Sequence, residues 1–207
     1  MVTVAIQSGG NSLRMGQDKG LIPLAGRPMI AHALDRVSGL GDELLITTNR
    51  PEDYRFTCAR LVPDPVPGAG ALAGLYTALS AAQGDPVLVV ACDMPFLSRP
   101  LLGHLLSLAS QADAIVPRRA GEFEPMHAVY WRGCLPAIHT ALDRGESRVV
   151  SFFADVRIRV VGQAEMEPFD PSGLSFFNIN TPEDLARAEQ LLASARTAAW
   201  PMGIASH

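Results

Sequence analysis

Short apolar runs with the character of β-strands alternate with longer stretches of helical periodicity along most of this chain. The runs VTVAIQS, ELLITT, ARLVP, PVLVVAC and DAIVPR are apolar on consecutive positions, which is typical of parallel strands buried on both faces. Because strands and helices alternate, we expect right-handed crossovers that place helices on both sides of one sheet. The sequence therefore predicts a doubly wound, mostly parallel α/β sheet of the Rossmann-like kind.

The helical stretches carry recognisable start signals. PMIAHALDRVSGL, ALAGLYTALSAAQG and RPLLGHLLSLASQ have apolar stripes, and Ser98 is a predicted N-cap before the third. A further helix is predicted near Cys134 to Arg144, among the strands EPMHAVYWR, VRIRVVG and LSFFNIN. The last helix, TPEDLARAEQLLASA, is expected to begin after Thr181, with Asp184 in a capping-box position.

Length and composition bound the number of domains. A chain of 207 residues that is 48% hydrophobic can bury one sizeable core. We therefore expect a single domain over residues 1–193. Residues 194–207 are predicted to form a loosely ordered tail, because the sequence has no helical period from about Thr197 onward.

The charge of the chain argues against nucleic-acid and membrane partners, and its cysteine spacing argues against a zinc site or a disulfide framework. The net charge is −4 with 18% charged residues, so the surface as a whole should repel nucleic acids and anionic membranes. Cys58, Cys92 and Cys134 show neither a zinc spacing nor a disulfide pattern. The sequence has no apolar run long enough to span a membrane and no signal-peptide pattern at its start. We expect a cytoplasmic protein with no nucleic-acid or membrane partner.

The first predicted strand ends in an unusual glycine-rich stretch. Open α/β sheets bind ligands beyond the carboxyl ends of their strands, so this end is a candidate site. Gly9 and Gly10 allow backbone amides to approach a ligand closely, and Arg14 and Lys19 add two positive charges. This combination predicts a phosphate-binding loop. It matches neither GxxxxGK[ST] nor GxGxxG, and a plain glycine-rich turn with surface basic residues is the alternative.

Two further strand ends carry carboxylates. Asp93 follows the buried run PVLVVAC, and Pro95 prevents the strand from continuing. Mg²⁺ is usually held by one or two carboxylates together with phosphate oxygens, so Asp93 is the predicted metal ligand. Asp64 precedes a loop rich in proline and glycine. The alternatives are a helix-capping role for Asp93, for which Ser98 is the better candidate, and an ordinary surface loop after Asp64.

Five segments between residues 4 and 192 closely resemble the signatures of the molybdenum cofactor guanylyltransferases. SGGNSLRMGQDKGLIPLAGRPMI resembles the family's opening LAGGxSxRMGxDK and the turn and helix that follow it. PGAGALAGLYTAL resembles the GPLAG loop, ACDMPFL the metal site, EPMHAVY a later strand, and FFNINTPEDL the carboxyl-terminal motif. The chain departs from the family pattern at four positions, where it has Gln7 and Ser8 for Leu-Ala, Ala71 for the proline of GPLAG, and Thr47 where an asparagine is often found.

The resemblance implies a nucleotidyltransferase fold and the transfer of GMP from GTP to the terminal phosphate of molybdenum-molybdopterin, with release of pyrophosphate and with Mg²⁺ as cofactor. It leaves open contacts with other cofactor-biosynthesis proteins and with recipient molybdoenzymes. By matching position it implies catalytic roles for Arg14, Lys19 and Asp93. The implied contacts are Gln7, Ser8, Gly9 and Gly10 with the nucleotide, Arg14 and Lys19 with the phosphates, Asp64 with the nucleoside, Asp93 with the metal, and Asn178 and Asn180 with the pterin side, where Glu124, Pro125 and Arg148 are placed more loosely.

The residues themselves offer no pattern for general-base or nucleophilic catalysis. A phosphate monoester has a second pKa of about 6, so an attacking phosphate oxygen is largely ionised at neutral pH and requires no base. Positioning and charge neutralisation then supply most of the catalysis. The 5 histidines have no metal-ligand spacing, and we expect structural or surface roles for them.

Other functions share part of this pattern. A CTP-dependent cytidylyltransferase acting on the same cofactor, or a sugar-phosphate nucleotidyltransferase, would keep the opening motif and differ in the base pocket and in the FFNINTPEDL motif. A non-catalytic carrier of nucleotide or cofactor would bind without releasing pyrophosphate. A dehydrogenase is disfavoured, because the fingerprint that binds the pyrophosphate of NAD is missing.

Overall fold

The sheet is built around its first strand, whose residues are all buried. The computed structural model describes residues 1–8, 18–64 and 70–198, with side chains to residue 194. The strands are β1 (Thr3–Ser8), β2 (Pro23–Leu24), β3 (Arg27–Pro28), β4 (Glu43–Thr48), β5 (Arg60–Pro63), β6 (Val87–Ala91), β7 (Ala114–Arg119), β8 (Glu122–Phe123), β9 (His127–Tyr130) and β10 (Ile158–Val161). The α-helices are α1 (Met29–Val37), α2 (Ala71–Ala81), α3 (Arg99–Ser107), α4 (Leu135–Asp143), α5 (Gln163–Met166) and α6 (Pro182–Ala198).

The main sheet is mostly parallel, as predicted. Its strand order is β10-β7-β9-β6-β1-β4-β5, and β8 pairs with β7 at one side. The pairs β1–β4, β1–β6, β4–β5 and β7–β10 are parallel. Strand β9 is antiparallel to both of its neighbours, β6 and β7, and β8 is antiparallel to β7. Each of the apolar runs that predicted the parallel strands coincides with one of them to within one or two residues.

Helices cover both faces of this sheet, which confirms the doubly wound arrangement. On one face, α1 and α3 bury apolar residues such as Ile30 and Leu101 against β1 and β6. On the other face, α2 and α4 bury residues such as Leu75 and Ile138. Burial of a side chain of this size contributes about 1.5 to 3 kcal/mol. Among the described helices, none combines the length and the apolar character needed to cross a membrane.

A third, smaller core joins the β2–β3 region to α6 and to the loop before it. Ile22 and Leu24 of the β2–β3 region pack with Ile179 and with Ala188 of α6. The first turn of α6 is closed by the predicted capping box. This packing brings the segment before α6 next to the segment that carries Lys19. Helix α6 extends to Ala198, so the predicted domain boundary at residue 193 falls within this helix. The loose order expected of the tail stays a prediction.

The capping box at α6 consists of two reciprocal hydrogen bonds. The Asp184 amide donates to Thr181 Oγ1 over 3.1 Å, and the Thr181 amide donates to Asp184 Oδ2 over 3.0 Å. These bonds satisfy amide groups that the first turn of a helix leaves unpaired. The start of α6 was therefore predictable to the residue.

The prediction of a strand over LSFFNIN is wrong. Gly173, in the left-handed region with φ 64°, leads into a 3-10 helix at Leu174–Phe176. Phe177 after it is extended, and the Ile179 amide donates to the Asp93 carbonyl over 3.0 Å. An apolar run with aromatic residues fits a strand and a buried loop equally well, and here tertiary packing selects the loop. The consequence for the site is that this loop lies directly beside Asp93.

Candidate active site

The carboxyl ends of β1, β4, β5 and β6 meet at one edge of the sheet. In the register of the parallel strands, Ser8 is level with Thr48, and Thr48 is level with Pro63. Gln7 is level with Ala91 of β6. Because neighbouring strands are about 4.8 Å apart, this edge presents the ends of all four strands to one ligand-sized region. It is the position at which such sheets bind ligands.

Three of the predicted site residues are in direct contact at this edge. Lys19 Nζ lies 3.1 Å from Asp93 Oδ2 and 2.6 Å from Asn180 Oδ1. The side chains of Lys19 and Asp93 are 25% and 17% exposed, so the ion pair is partly buried but open to solvent. The three residues are far apart in the sequence. The contact of both Asp93 and Asn180 with the Lys19 ammonium group is the main geometric feature of the site.

The backbone around each of these residues is fixed by hydrogen bonds. Asp93 lies in the turn after β6, where the Cys92 amide donates to the Gln7 carbonyl over 3.0 Å. Lys19 begins a 3-10 helix (Lys19–Leu21) whose N-cap is Asp18. The Asn180 amide donates to the capping carboxylate of α6 over 3.0 Å. Each side chain therefore projects from an anchored turn, which limits the entropy lost when it binds a ligand.

Asp93 is free of the capping role that was its alternative. Helix α3 is capped by Ser98, whose Oγ accepts from the Leu101 amide over 3.4 Å. No group of three or more potential metal-ligating side chains occurs in the described ranges 1–8, 18–64 and 70–194. A site with a single protein carboxylate suits Mg²⁺, because this ion commonly completes its shell with water and substrate phosphates.

Gln7 and Ser8 point to opposite faces of β1. Gln7 is 8% exposed and lies against α2, where a side chain at Gly74 would contact its amide oxygen at 3.0 Å. Its Nε2 is buried and has no hydrogen-bond partner among the described residues. Ser8 faces α1 and contacts the hydroxyl of Tyr54.

The loop that follows β5 is described only at its two ends. The Asp64 amide donates to the Thr48 carbonyl over 3.2 Å, which places Asp64 at the carboxyl edge. Beyond residues 65–69, Gly70 has φ 89° and caps α2. The Leu72 amide donates to the Ser147 carbonyl over 3.1 Å, so the segment that carries Arg148 packs against the first turn of α2. Gly9, Gly10 and Arg14 lie outside the described residues.

Of the residues assigned by resemblance to the pterin side, Asn178 and Asn180 lie in the loop before α6, whereas Glu124 and Pro125 lie between β8 and β9. Asn178 Oδ1 is buried and has no hydrogen-bond partner within the described ranges. The guanidinium carbon of Arg119 lies 4.8 Å from the centre of the Phe176 ring. Burial raises the pKa of Glu124, and the positive charge of Arg119 partly offsets this. The Pro125 carbonyl accepts a hydrogen bond from a buried tyrosine.

Sequence reasoning missed two residues that shape this site. Tyr54 is fully buried, and its hydroxyl donates to Asp18 Oδ1 over 2.6 Å. Asp18 precedes Lys19 and could have been identified as an N-cap from residue preference alone. Tyr54 follows β4 by a short turn, and no local pattern indicated that its hydroxyl reaches Asp18.

The similarity of this chain to known proteins agrees with the geometry of the site. A molybdenum cofactor guanylyltransferase from Desulfosudis oleivorans is 33% identical over 197 residues, which cover 94% of this chain and 98% of the relative. A probable molybdenum cofactor guanylyltransferase from Pelotomaculum thermopropionicum is 34% identical, with coverage of 94% and 95%. The crystal structure of molybdopterin-guanine dinucleotide biosynthesis protein A from Archaeoglobus fulgidus superposes with a TM-score of 0.82 at 26% identity, covering 93% of this chain and 99% of the other. Residues 4–159 match the family model of the MobA-like NTP transferase domain, and the chain belongs to this family.

Proposed function

We propose that this protein transfers GMP from GTP to the terminal phosphate of molybdenum-molybdopterin, which yields the guanine dinucleotide form of the cofactor and pyrophosphate. The observation that carries the proposal is the contact of Lys19 Nζ with both Asp93 and Asn180. This contact joins Lys19, which is assigned to the nucleotide phosphates, with Asn180, which is assigned to the cofactor side. The names of the relatives, and the family to which the chain belongs, support this assignment.

Lys19 supplies local positive charge in a protein whose net charge is −4. A triphosphate is strongly anionic, so its site has to concentrate cationic groups and amides against the field of the whole protein. In the proposed reaction Lys19 neutralises charge that develops on the transferred phosphoryl group, and Arg14 adds a second cation. Asn180 orients the acceptor beside it. The attacking phosphate is already ionised at neutral pH, so none of these residues has to accept a proton.

We also propose that Asp93 holds a Mg²⁺ ion together with the nucleotide phosphates. The carboxylate is a hard oxygen donor at the carboxyl edge, and its partial exposure leaves it accessible. When bound, the ion would neutralise phosphate charge and polarise the α-phosphate. Gln7, Ser8, Gly9, Gly10 and Asp64 are proposed to line the nucleotide, and Asn178 the pterin. A cytoplasmic location remains part of the proposal.

Product analysis tests the proposal directly. The full chain is incubated with molybdenum-molybdopterin, Mg²⁺ and either GTP or CTP, and the dinucleotide and pyrophosphate are both quantified. We expect equal amounts of the two products with GTP. Dinucleotide formed with CTP would establish the cytidylyltransferase alternative, and nucleotide binding without pyrophosphate release would establish a carrier. Turnover that requires a sugar phosphate in place of the pterin would overturn the assignment of the acceptor.

A nucleotide panel gives an independent test of base choice. A ligand that binds only the folded state raises the melting temperature with its concentration. With Mg²⁺ present, GTP should raise the melting temperature more than ATP, CTP or UTP at the same concentration. An equal shift with all four nucleotides would contradict selection of guanine.

A further inference from the structure

The turn formed by residues 18–20, which carries Lys19, is tied to the protein core by a chain of hydrogen bonds. The hydroxyl oxygens of Ser8 and Tyr54 lie 2.5 Å apart. The Tyr54 hydroxyl donates to Asp18 Oδ1 over 2.6 Å, and the same carboxylate oxygen accepts from the Gly20 amide over 3.0 Å. Lys19 lies between the two residues, Asp18 and Gly20, that this chain fixes.

The hydroxyl end of this chain of hydrogen bonds is buried, whereas its Asp18 end is partly exposed. Tyr54 is 0% exposed and Ser8 is 2% exposed. A side chain at residue 20 would collide with the hydroxyl of Tyr54 and would lie 2.5 Å from that of Ser8. Only glycine therefore lets the loop approach these hydroxyls closely enough for the bonds to form.

The buried Tyr54 hydroxyl is uncharged, which suits a role in fixing the position of Asp18. Burial, with the adjacent Asp18 as a lesser cause, raises the pKa of the Tyr54 hydroxyl, so it remains a neutral donor. Ser8 also forms a side-chain hydrogen bond with Cys92. Ser8 thus contacts both Tyr54 and the residue before Asp93. Hydrogen bonds to a carboxylate are roughly twice as strong as neutral ones.

We propose that Tyr54 is a positioning residue, which acts through Asp18 to hold Lys19 against Asp93 and Asn180. The inference rests on the proposed function and adds a residue outside the motifs that carry the family resemblance. It also gives a physical role to Ser8, which replaces the alanine usual in that motif. Loss of the Tyr54 hydroxyl leaves Asp18 Oδ1 bonded to the Gly20 amide of its own turn but removes the bond that ties this turn to the buried hydroxyls. A cation that must meet a developing charge loses effect when its backbone is free to move.

A double-mutant cycle distinguishes positioning from a general contribution to stability. The kcat/KM for GTP is measured for wild type, Tyr54→Phe, Lys19→Ala and the double variant, with molybdenum-molybdopterin and Mg²⁺ present. We expect Tyr54→Phe to lower kcat/KM about tenfold. In the Lys19→Ala background the same change should cost less than about twofold, because the residue through which Tyr54 acts is already gone.

Trp131→Phe is the matched control. Trp131 follows β9 at the opposite edge of the sheet, because Tyr130 pairs with Val87, the first residue of β6. Its Nε1 donates to the Ala109 carbonyl over 2.6 Å, so the change also removes one side-chain hydrogen bond. We expect Trp131→Phe to lower the melting temperature while keeping kcat/KM within about twofold of wild type. Equal losses of kcat/KM in Trp131→Phe and Tyr54→Phe would overturn the inference.

Further outcomes separate this inference from the proposed function. Additive effects of Tyr54→Phe and Lys19→Ala would show a structural role only and would overturn the positioning role. If Tyr54→Phe does not fold, Asp18→Ala replaces it in the cycle with the same expected coupling. If wild type binds GTP but transfers nothing, the proposed function fails. The double-mutant cycle then compares the Kd for GTP with Mg²⁺ in the same four proteins. Wild type that neither binds nor transfers would overturn both.

Discussion

His127 is a fully buried histidine whose replacement should change the acid stability of the protein. It is 0% exposed, and neither ring nitrogen has a hydrogen-bond partner within the described part of the chain. Its ring centre lies 4.6 Å from that of Phe176. Burial lowers the pKa of His127 to about 4, although the nearby Asp170 charge acts in the opposite direction. The imidazole is therefore neutral in the folded protein at neutral pH.

The size of the effect follows from linkage. In the unfolded chain the pKa of histidine is about 6.5, so the unfolded state binds a proton first as the pH falls. Above about pH 6.5, the usual histidine pKa, His127 does not lower the free energy of unfolding. As the pH drops from there toward the folded-state pKa of about 4, the free energy of unfolding falls progressively. At pH 5 this one group should lower the free energy of unfolding by about 2 kcal/mol relative to pH 7.5.

The measurement is urea unfolding of wild type and His127→Leu at pH 7.5 and at pH 5. Carboxylates contribute to both proteins, so the difference between their pH dependences isolates His127. We expect wild type to lose about 2 kcal/mol more than His127→Leu over this interval. His139→Gln, which changes an exposed histidine, serves as the control and should behave as wild type does. Equal losses in wild type and His127→Leu would refute the reasoning.

Three other substitutions test separate parts of the structure. Asp93→Ala should abolish Mg²⁺-dependent transfer while circular dichroism and melting show a folded protein, and activity retained in an EDTA-controlled assay would contradict its metal role. Gly20→Ala should lower the free energy of unfolding by about 1 to 3 kcal/mol, because the new Cβ meets the Tyr54 and Ser8 hydroxyls; an unchanged urea midpoint would show that the loop can move aside. Asp184→Ala removes the carboxylate that accepts from two amides before α6 and should cost about 1 kcal/mol. Stability equal to that of wild type in urea unfolding would mean that other groups cap this helix.

The elements of the fold that depend on local pattern were predictable from the sequence. Consecutive apolar residues identified the strands of the parallel block, and capping residues located the start of α3 and of α6. The proximity of Lys19 and Asp93 also followed from a general rule, because parallel strands present their carboxyl ends at one edge. These inferences need only the chain's own periodicity and the geometry of a parallel sheet.

Features that depend on contacts between distant segments were not predictable in this way. The run LSFFNIN has strand composition, but it packs as a 3-10 helix followed by a loop. Nothing in the spacing of Asn180 indicated that its amide oxygen would meet Lys19. Tyr54 reads as an ordinary core aromatic, and its role depends on a hydroxyl placed by the turn after β4. Such contacts are set by tertiary packing, which residue preference does not encode.

We infer that Lys19 and Asp93 form one site for a nucleoside triphosphate, with Asn180 beside them on the acceptor side. The most direct measurement is calorimetric titration of GTP with Mg²⁺ into wild type, Lys19→Ala and Arg157→Ala. Arg157 is 76% exposed and pairs with Asp113, so its replacement removes one positive charge away from the carboxyl edge. We predict that Lys19→Ala raises the Kd for GTP about ten- to a hundredfold, while Arg157→Ala leaves it within about twofold of wild type. The same Kd for both variants would contradict the claim.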